Sequence, residues 1–149
     1  MKGRVRLRRG VAASAVAALC LGGSAAAAQA ASLHVSVKPN PTHAGGHYTV
    51  TITGSFKRSQ ISGQPFVLAV VQYSSMPCAA TAKGEFSRTG GTFFVHGSPP
   101  SSPFKVTQGF TVGSPGVRRI CAYLYGRVIS PSDNATPLAR ASAKEVVTR

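Results

Sequence analysis

Apolar and polar residues alternate along most of the chain after position 30, and this period of two is typical of strands with one buried face. Leu33, Val35 and Val37 alternate with polar residues, and positions 48–53 repeat the pattern with threonines on the polar side. Positions 66–71 are apolar without interruption, which predicts a central strand buried on both faces. The remaining predicted strands lie at 79–82, 92–96, 104–112, 117–125 and 138–147.

Turn signals rich in Gly, Pro, Ser and Asn separate these runs, and none of the runs shows the period of an amphipathic helix. The pattern predicts an all-β fold, a seven- or eight-stranded antiparallel β-sandwich formed by one domain at 31–149. The last strand is expected at a sheet edge, where Arg140, Lys144 and Glu145 can stay solvated. The expected core contains Val35, Val50, Ile52, Val67, Val71 and Phe110.

The first 30 residues have the pattern of a secretory signal peptide. Five basic residues within the first nine positions precede an apolar stretch at 11–21, and Ala28-Gln29-Ala30 supplies the small residues that a signal peptidase needs. A transmembrane anchor is one alternative, but the stretch is short and rich in alanine, whereas a span needs about 20 strongly apolar residues. A lipoprotein signal at Cys20 is another alternative, although Leu19 stands where a small residue is usual. We therefore expect cleavage near Ala30 and a secreted or cell-surface protein.

The exported part of the chain is strongly basic. Five of the 17 Lys and Arg residues belong to the leader, so 12 remain against three acids, and the net charge of the exported part is +9. Such a surface attracts polyanions. The basic residues are scattered rather than interleaved with aromatic residues, which argues against a specific nucleic-acid module. The expected partners are anionic cell-envelope polymers or another surface protein, and the alternative is that the charge only keeps the protein soluble.

Two cysteines remain in the exported part, Cys78 and Cys121. Export favours oxidation of thiols, and two cysteines allow one intramolecular pairing. The sequence therefore predicts a disulfide between Cys78 and Cys121.

Groups suited to catalysis are scarce after the leader. Glu85, Asp133 and Glu145 fall in different predicted loops or edges, whereas two-carboxylate hydrolysis needs a close pair. The chain contains no G-x-S-x-G nucleophile elbow. His43 and His47 flank a glycine turn rather than one face of a helix. We expect no catalytic residue, no cofactor and no metal.

Tyrosine and arginine are concentrated around the strand predicted at 117–125, and both residue types are common at surfaces that bind glycans or anionic polymers. Two arginines begin the strand, two tyrosines end it on the same face as Cys121, and a third arginine follows. The predicted binding patch contains Arg118, Arg119, Tyr123, Tyr125 and Arg127. The alternative is that the two tyrosines pack in the core beside the disulfide.

Two stretches of the chain resemble bacterial immunoglobulin-like surface domains. Positions 33–56, LHVSVKPNPTHAGGHYTVTITGSF, resemble the first two strands of such domains. Positions 115–125, PGVRRICAYLY, resemble their E–F corner and F strand, with an aromatic residue two positions after the cysteine. The chain departs from the pattern because Arg119 occupies the place of the usual corner tyrosine and tryptophan is absent. The resemblance implies an immunoglobulin-like fold and carries no function with it.

These observations favour an exported, non-enzymatic binding or structural module of the cell envelope or extracellular space. A secreted small-ligand carrier or inhibitor is the alternative, since the chain resembles small actinobacterial antibiotic-carrying apoproteins in size and leader. Those proteins carry two disulfides as a rule, and this chain has cysteines for one. A hydrolase is the third and least favoured class, and a close Ser-His-Asp geometry would be its signature.

Overall fold

The computed structural model describes residues 30–88, 92–99 and 101–149, so the predicted leader lies outside the described residues apart from Ala30. Strands dominate the described part, with one short 3-10 turn at Arg58–Gln60 and one helix. The strands are β1 (Ser32–Lys38), β2 (Thr42–His43), β3 (His47–Ser55), β4 (Phe66–Gln72), β5 (Thr92–Gly97), β6 (Phe104–Thr111), β7 (Gly116–Tyr125) and β8 (Ala139–Thr148), and the helix is α1 (Ala82–Arg88).

The strands form two sheets, and the all-β prediction is confirmed at this level. One sheet has three strands in the order β1-β3-β6, and the other has five in the order β2-β8-β7-β4-β5. The described part therefore holds seven longer strands and the two-residue β2. The pairings are antiparallel except that β2 pairs with β8 in parallel, which corrects the expectation of a wholly antiparallel sandwich.

The core lies between the two sheets, where the apolar faces of their strands meet. Val50, Ile52 and Val67 are completely buried, and Val35 and Val71 are nearly so, as the alternation predicts. Phe110 is half-buried and packs against this core, with its ring stacked on that of Tyr48 at a centroid distance of 5.2 Å. Five of the six predicted core residues are thus buried, and the sixth lies at the core's margin.

The five-stranded sheet is also covered on its outer face, so its central strands are buried on both sides. Every residue of β4 is buried, which confirms the central strand predicted from the apolar run at 66–71. Leu68, Val70 and Tyr123 lie in a second apolar cluster on the outer face. Residues 73–88, termed the cover segment, run from the end of β4 through α1 and supply Ala82 to this cluster.

The strand predicted at 79–82 is wrong, because this region is a loop that leads into α1. Thr81 begins the helix as an N-cap. Its side-chain oxygen accepts a hydrogen bond from the Gly84 N–H at 3.1 Å, and its carbonyl accepts one from the Glu85 N–H at 3.1 Å. Among the described residues, no helix is long and apolar enough to span a bilayer.

Candidate functional site

A disulfide holds the cover segment to the sheet. Cys78 in the cover segment and Cys121 in β7 lie at disulfide distance, with their Cα atoms 5.7 Å apart, as the sequence predicts. Cys121 is completely buried, and its side chain belongs to the outer apolar cluster. The bridge therefore joins a surface loop to one of the central strands.

Two tyrosines of β7 fasten the same segment. The Tyr123 hydroxyl donates a hydrogen bond to the Ala79 carbonyl at 3.1 Å, and the Tyr125 hydroxyl accepts one from the Ala82 N–H at 3.0 Å. Tyr123 is 0% exposed and Tyr125 is 2% exposed, and burial raises the pKa of both phenols above the usual range. Their predicted place in an exposed binding patch is therefore wrong, because the cover segment lies over them.

A buried carboxylate organises the polar groups under the cover segment. Both oxygens of Glu85 accept hydrogen bonds: the Gln72 amide donates to Oε1, and the Ala79 N–H donates to Oε2 at 2.5 Å. The Tyr123 hydroxyl also lies 3.1 Å from Oε2, so its single proton is shared between Oε2 and the Ala79 carbonyl. Arg88 forms an ion pair with Oε2 at 3.1 Å. A buried charge with this many partners is compensated, so Glu85 serves to attach α1 to the sheet.

A cleft of about 340 Å³ opens beside the disulfide on the outer face of β7 and β8. Two of its residues come from the cover segment, one from β7 and three from β8. They are Pro77, Cys78, Arg119, Arg140, Ala141 and Ser142. Neighbouring strands therefore place two guanidinium groups at one cleft, and none of the six lining residues is acidic.

The arginines of the cleft keep donors that the protein does not use. An Arg119 Nη donates to the Ser75 carbonyl at 3.1 Å, while the buried Nε of Arg119 has no hydrogen-bond partner. Arg140 is exposed and contacts the Ala79 carbonyl at 3.5 Å. The exposed Lys144 lies directly opposite Arg119 in the β7–β8 register. Because a guanidinium carries five N–H donors in a planar fork, this arrangement can bind carboxylate, phosphate or sulfate groups.

Arg118, which the sequence assigned to the same patch, faces the opposite side of the sheet. Its side chain is buried at the end of the sandwich, where an Nη donates to the Ser114 carbonyl at 3.2 Å. The guanidinium carbon lies 5.3 Å from the centre of the Tyr73 ring, a cation–π geometry. Arg118 also lies opposite Glu145 in the register of β7 and β8. The inward-facing arginine thus contributes to the core rather than to the cleft.

Glu145 is completely buried, so the expectation that it stays solvated is wrong. Its position shares the inward face of β8 with Val147, and neither carboxylate oxygen has an aligned hydrogen-bond partner. Burial raises the pKa of Glu145, while the Arg118 cation and the Tyr48 hydroxyl act in the opposite direction. Burial and the charge of Glu145 in turn raise the pKa of Tyr48 to about 12.

Arg127, the last member of the predicted patch, is exposed in the loop after β7 beside Gly63. The structure therefore does not bring the five predicted residues together. It places Arg119 with Arg140 and Lys144, which the sequence treated only as solvated edge residues. The period of two along β8 puts Arg140 and Lys144 on one face, and the register with β7 brings that face beside Arg119.

Five side chains of the described part that could ligate a metal make other contacts. The ligand atoms of Cys78, Glu85 and Cys121 lie within 4.8 Å of one another, but the two sulfur atoms are joined in the disulfide. His43 and His47 form hydrogen bonds with threonine hydroxyls at 2.9 and 3.0 Å. These contacts assign structural roles to all five side chains.

No protein-family model matches the chain, and no curated protein matches it. Three solved structures resemble it in part. The alkylpurine DNA glycosylase AlkC of Pseudomonas fluorescens, bound to DNA containing an abasic site analog, is 11% identical with a TM-score of 0.49, over 80% of this chain and 31% of that one. The CARDB domain of the PF1109 protein from Pyrococcus furiosus, in complex with di-metal ions, is 17% identical with a TM-score of 0.39, over 79% and 94%.

A β-glucosidase from Listeria innocua is 14% identical with a TM-score of 0.31, over 78% of this chain and 16% of that one. This chain therefore spans about a third of the glycosylase and a sixth of the glucosidase. Because every one of these TM-scores is below 0.5, the site is interpreted from its own geometry.

Proposed function

We propose that this protein is an exported, non-enzymatic, immunoglobulin-like module of the cell envelope that binds anionic groups through the cleft beside its disulfide. Arg119 and Arg140 are the binding residues, and Lys144 adds charge at the rim. The alternative function, a small-ligand carrier, uses the same cleft for a small anion instead of an envelope component.

The immunoglobulin-like part of the proposal is supported by the strand order. Immunoglobulin domains pair strands A, B and E in one sheet and C, F and G in the other. The order β1-β3-β6 corresponds to A, B and E, and β4, β7 and β8 correspond to C, F and G. The disulfide differs from the usual one between strands B and F, because here it ties the segment after strand C to strand F.

The observation that carries the binding proposal is the pair of arginines in an open cleft without an acidic lining residue. The part of the chain that is expected to be exported carries a net charge of +9. Long-range attraction gathers polyanions at such a surface, and the planar guanidinium forks give the bound anion a defined position.

The placement of the acids supports a binding role over hydrolysis. Glu85 belongs to the cover segment, and its buried carboxylate contacts Gln72, Ala79 and Tyr123. Glu145 is buried on the other side of the sheet. Asp133 accepts a hydrogen bond from the Ser130 N–H at 2.9 Å within its own loop. None of these three carboxylates lines the cationic cleft.

The test is retention of residues 31–149 on purified cell walls across a salt series. The double variant Arg119→Gln/Arg140→Gln removes two charges from the cleft. The control Lys38→Gln/Lys105→Gln removes two charges from exposed positions on the three-stranded sheet. Attraction between exposed charges is screened beyond about 8 Å at physiological salt. Wall binding that depends only on the net charge of the domain would weaken equally in both double variants.

We expect the cleft variant to dissociate at a clearly lower salt concentration than the wild type, and the control to stay close to the wild type. Equal loss in both double variants would show that net charge alone drives binding. Absence of binding by the wild type at low salt would refute the proposal. A small monovalent anion that competes as well as the polymer would favour the carrier.

A further inference from the structure

The outer edge of β8 is paired at one end only. Among the described residues, β2 pairs with it at Val147 and Thr148. Nearer the middle of the strand, the Asn40 side chain accepts a hydrogen bond from the Val146 N–H at 3.0 Å and donates one to the Lys144 carbonyl at 2.7 Å. A side chain and a two-residue strand thus satisfy the C-terminal half of this edge.

These contacts identify which backbone groups point outward. The Lys144 carbonyl, the Val146 N–H and the Thr148 carbonyl, which accepts from Ala44 at 2.9 Å, all face the outer edge. Because backbone orientation repeats every second residue in a strand, Arg140 and Ser142 present their N–H and C=O groups to the same edge. No described residue forms a hydrogen bond with these four groups.

This open stretch is continuous with the cationic cleft. Arg140, Ala141 and Ser142 line the cleft and also form the open part of the edge. The side chains of Arg140, Ser142 and Lys144 project to the outer face of the sheet, where Arg119 lies opposite Lys144. One short region therefore has unpaired backbone N–H and C=O groups next to several positively charged side chains.

We propose that this region binds an extended acidic segment of another protein as an added antiparallel strand. Arg140 and Ser142 each form a hydrogen-bonded pair with the segment, which gives four backbone hydrogen bonds. In such a pair the opposing side chains lie on the same face, so acidic residues at alternate positions of the segment meet Arg140 and Lys144. Arg119 lies one strand further in, on the same face beside Lys144. This inference rests on the proposed anion-binding cleft and names its ligand.

The basic side chains beside the open edge favour an acidic segment over a second copy of this chain. A second copy of β8 paired antiparallel about Ser142 would place Arg140 opposite Lys144, and like charges directly opposite each other are destabilising. The same basic residues protect the edge from self-association. An acidic segment is complementary both to the open backbone and to the side chains beside it.

The experiment uses a synthetic peptide of about six residues in which glutamate and threonine alternate, long enough to span the open stretch at about 3.3 Å per residue. In the proposed register, the glutamates turn their own amides toward β8 and the threonines turn theirs away. N-methylation of the glutamate amides therefore removes the strand pairing without changing the charge. N-methylation of the threonine amides is the matched control.

Binding is measured by titration of residues 31–149 and by hydrogen exchange of the backbone amides. We expect the glutamate-methylated peptide to bind at least about tenfold more weakly than the parent, because the backbone hydrogen bonds that its amides donate to β8 are lost. The threonine-methylated peptide should bind like the parent. The parent peptide should protect the amides of Arg140 and Ser142 from exchange, and Arg119→Gln/Arg140→Gln should abolish binding.

Equal binding of the parent and the glutamate-methylated peptide would overturn the inference, as would a peptide with glutamine in place of glutamate that binds equally well. Binding of inorganic polyphosphate without binding of the parent peptide would also overturn it, while leaving the anion-binding cleft in place. If neither probe binds, the proposed function fails together with the inference. Self-association that protects Arg140 and Ser142 in the free protein would identify a second copy as the occupant and refute the acidic segment.

Discussion

Reduction of the disulfide should destabilise the domain by an amount that the structure sets. Cys78 and Cys121 are 43 positions apart, and closing a loop of that length in the unfolded chain corresponds to about 4 kcal/mol in the chain-entropy model. For a domain of this size, such a loss lowers Tm by on the order of 15 °C. The reduced protein keeps both sulfur atoms, so the comparison with the oxidised protein isolates the effect of the cross-link.

The assay is urea denaturation of oxidised and reduced residues 31–149, followed by far-UV circular dichroism, since the chain has no tryptophan to report by fluorescence. We expect cooperative transitions in both states, with the free energy of unfolding lower by about 4 kcal/mol after reduction. Hydrogen exchange should accelerate first in the cover segment, because the bridge is one of its attachments to the sheet. A reduced protein within about 1 kcal/mol of the oxidised one would refute the reasoning.

Three further experiments test the packing of the domain. Burial makes the folded state hold the proton of Glu145 more tightly than the unfolded state does. The resulting stability is present below the usual pKa of 4.5 and is lost as pH rises through the raised value. Glu145→Gln should therefore flatten the fall in unfolding free energy that is measured as pH rises above 4.5, and an unchanged slope would exclude Glu145 as its source. Gly54→Ala places a Cβ 2.6 Å from the Ser32 carbonyl oxygen and should lower the free energy of unfolding in urea by about 2 kcal/mol. The control Gly109→Ala, whose added Cβ has nothing within 4 Å, should change this free energy by less than about 0.5 kcal/mol. Similar values for the two variants would count against the close packing at Gly54. Val71→Asp buries an unpaired charge at a position that is 3% exposed and should lower the free energy of unfolding by about 3 kcal/mol or more. A variant that melts near the wild-type temperature would contradict the central position of β4.

The strands and the core were predictable because alternation reports burial directly. Val50 and Ile52 alternate with threonines, and the unbroken run at 66–71 marks a strand that is covered on both faces. The disulfide was predictable from the expectation of export and from a count of two cysteines. In each case the signal lies within a short window of the chain or in a simple count.

The cover segment could not be predicted from periodicity, because α1 is only seven residues long and is held by tertiary contacts. Its local signal was the N-cap Thr81 followed by Glu85 in the first turn. The cover segment is also what buries Tyr123 and Tyr125, so the sequence placed them on a surface that the fold covers. The antiparallel register of β7 and β8 determines the neighbours of Arg119, and a single sequence does not specify that register.

The most direct test of the anion-binding cleft is nuclear magnetic resonance mapping of residues 31–149 during titration with a short inorganic polyphosphate at physiological salt. The account predicts saturable shifts concentrated on the backbone amides of Arg119, Arg140 and Ser142, and their loss in Arg119→Gln/Arg140→Gln but not in Lys38→Gln/Lys105→Gln. Shifts spread evenly over the basic residues of both sheets, or an unchanged response in the cleft variant, would contradict it.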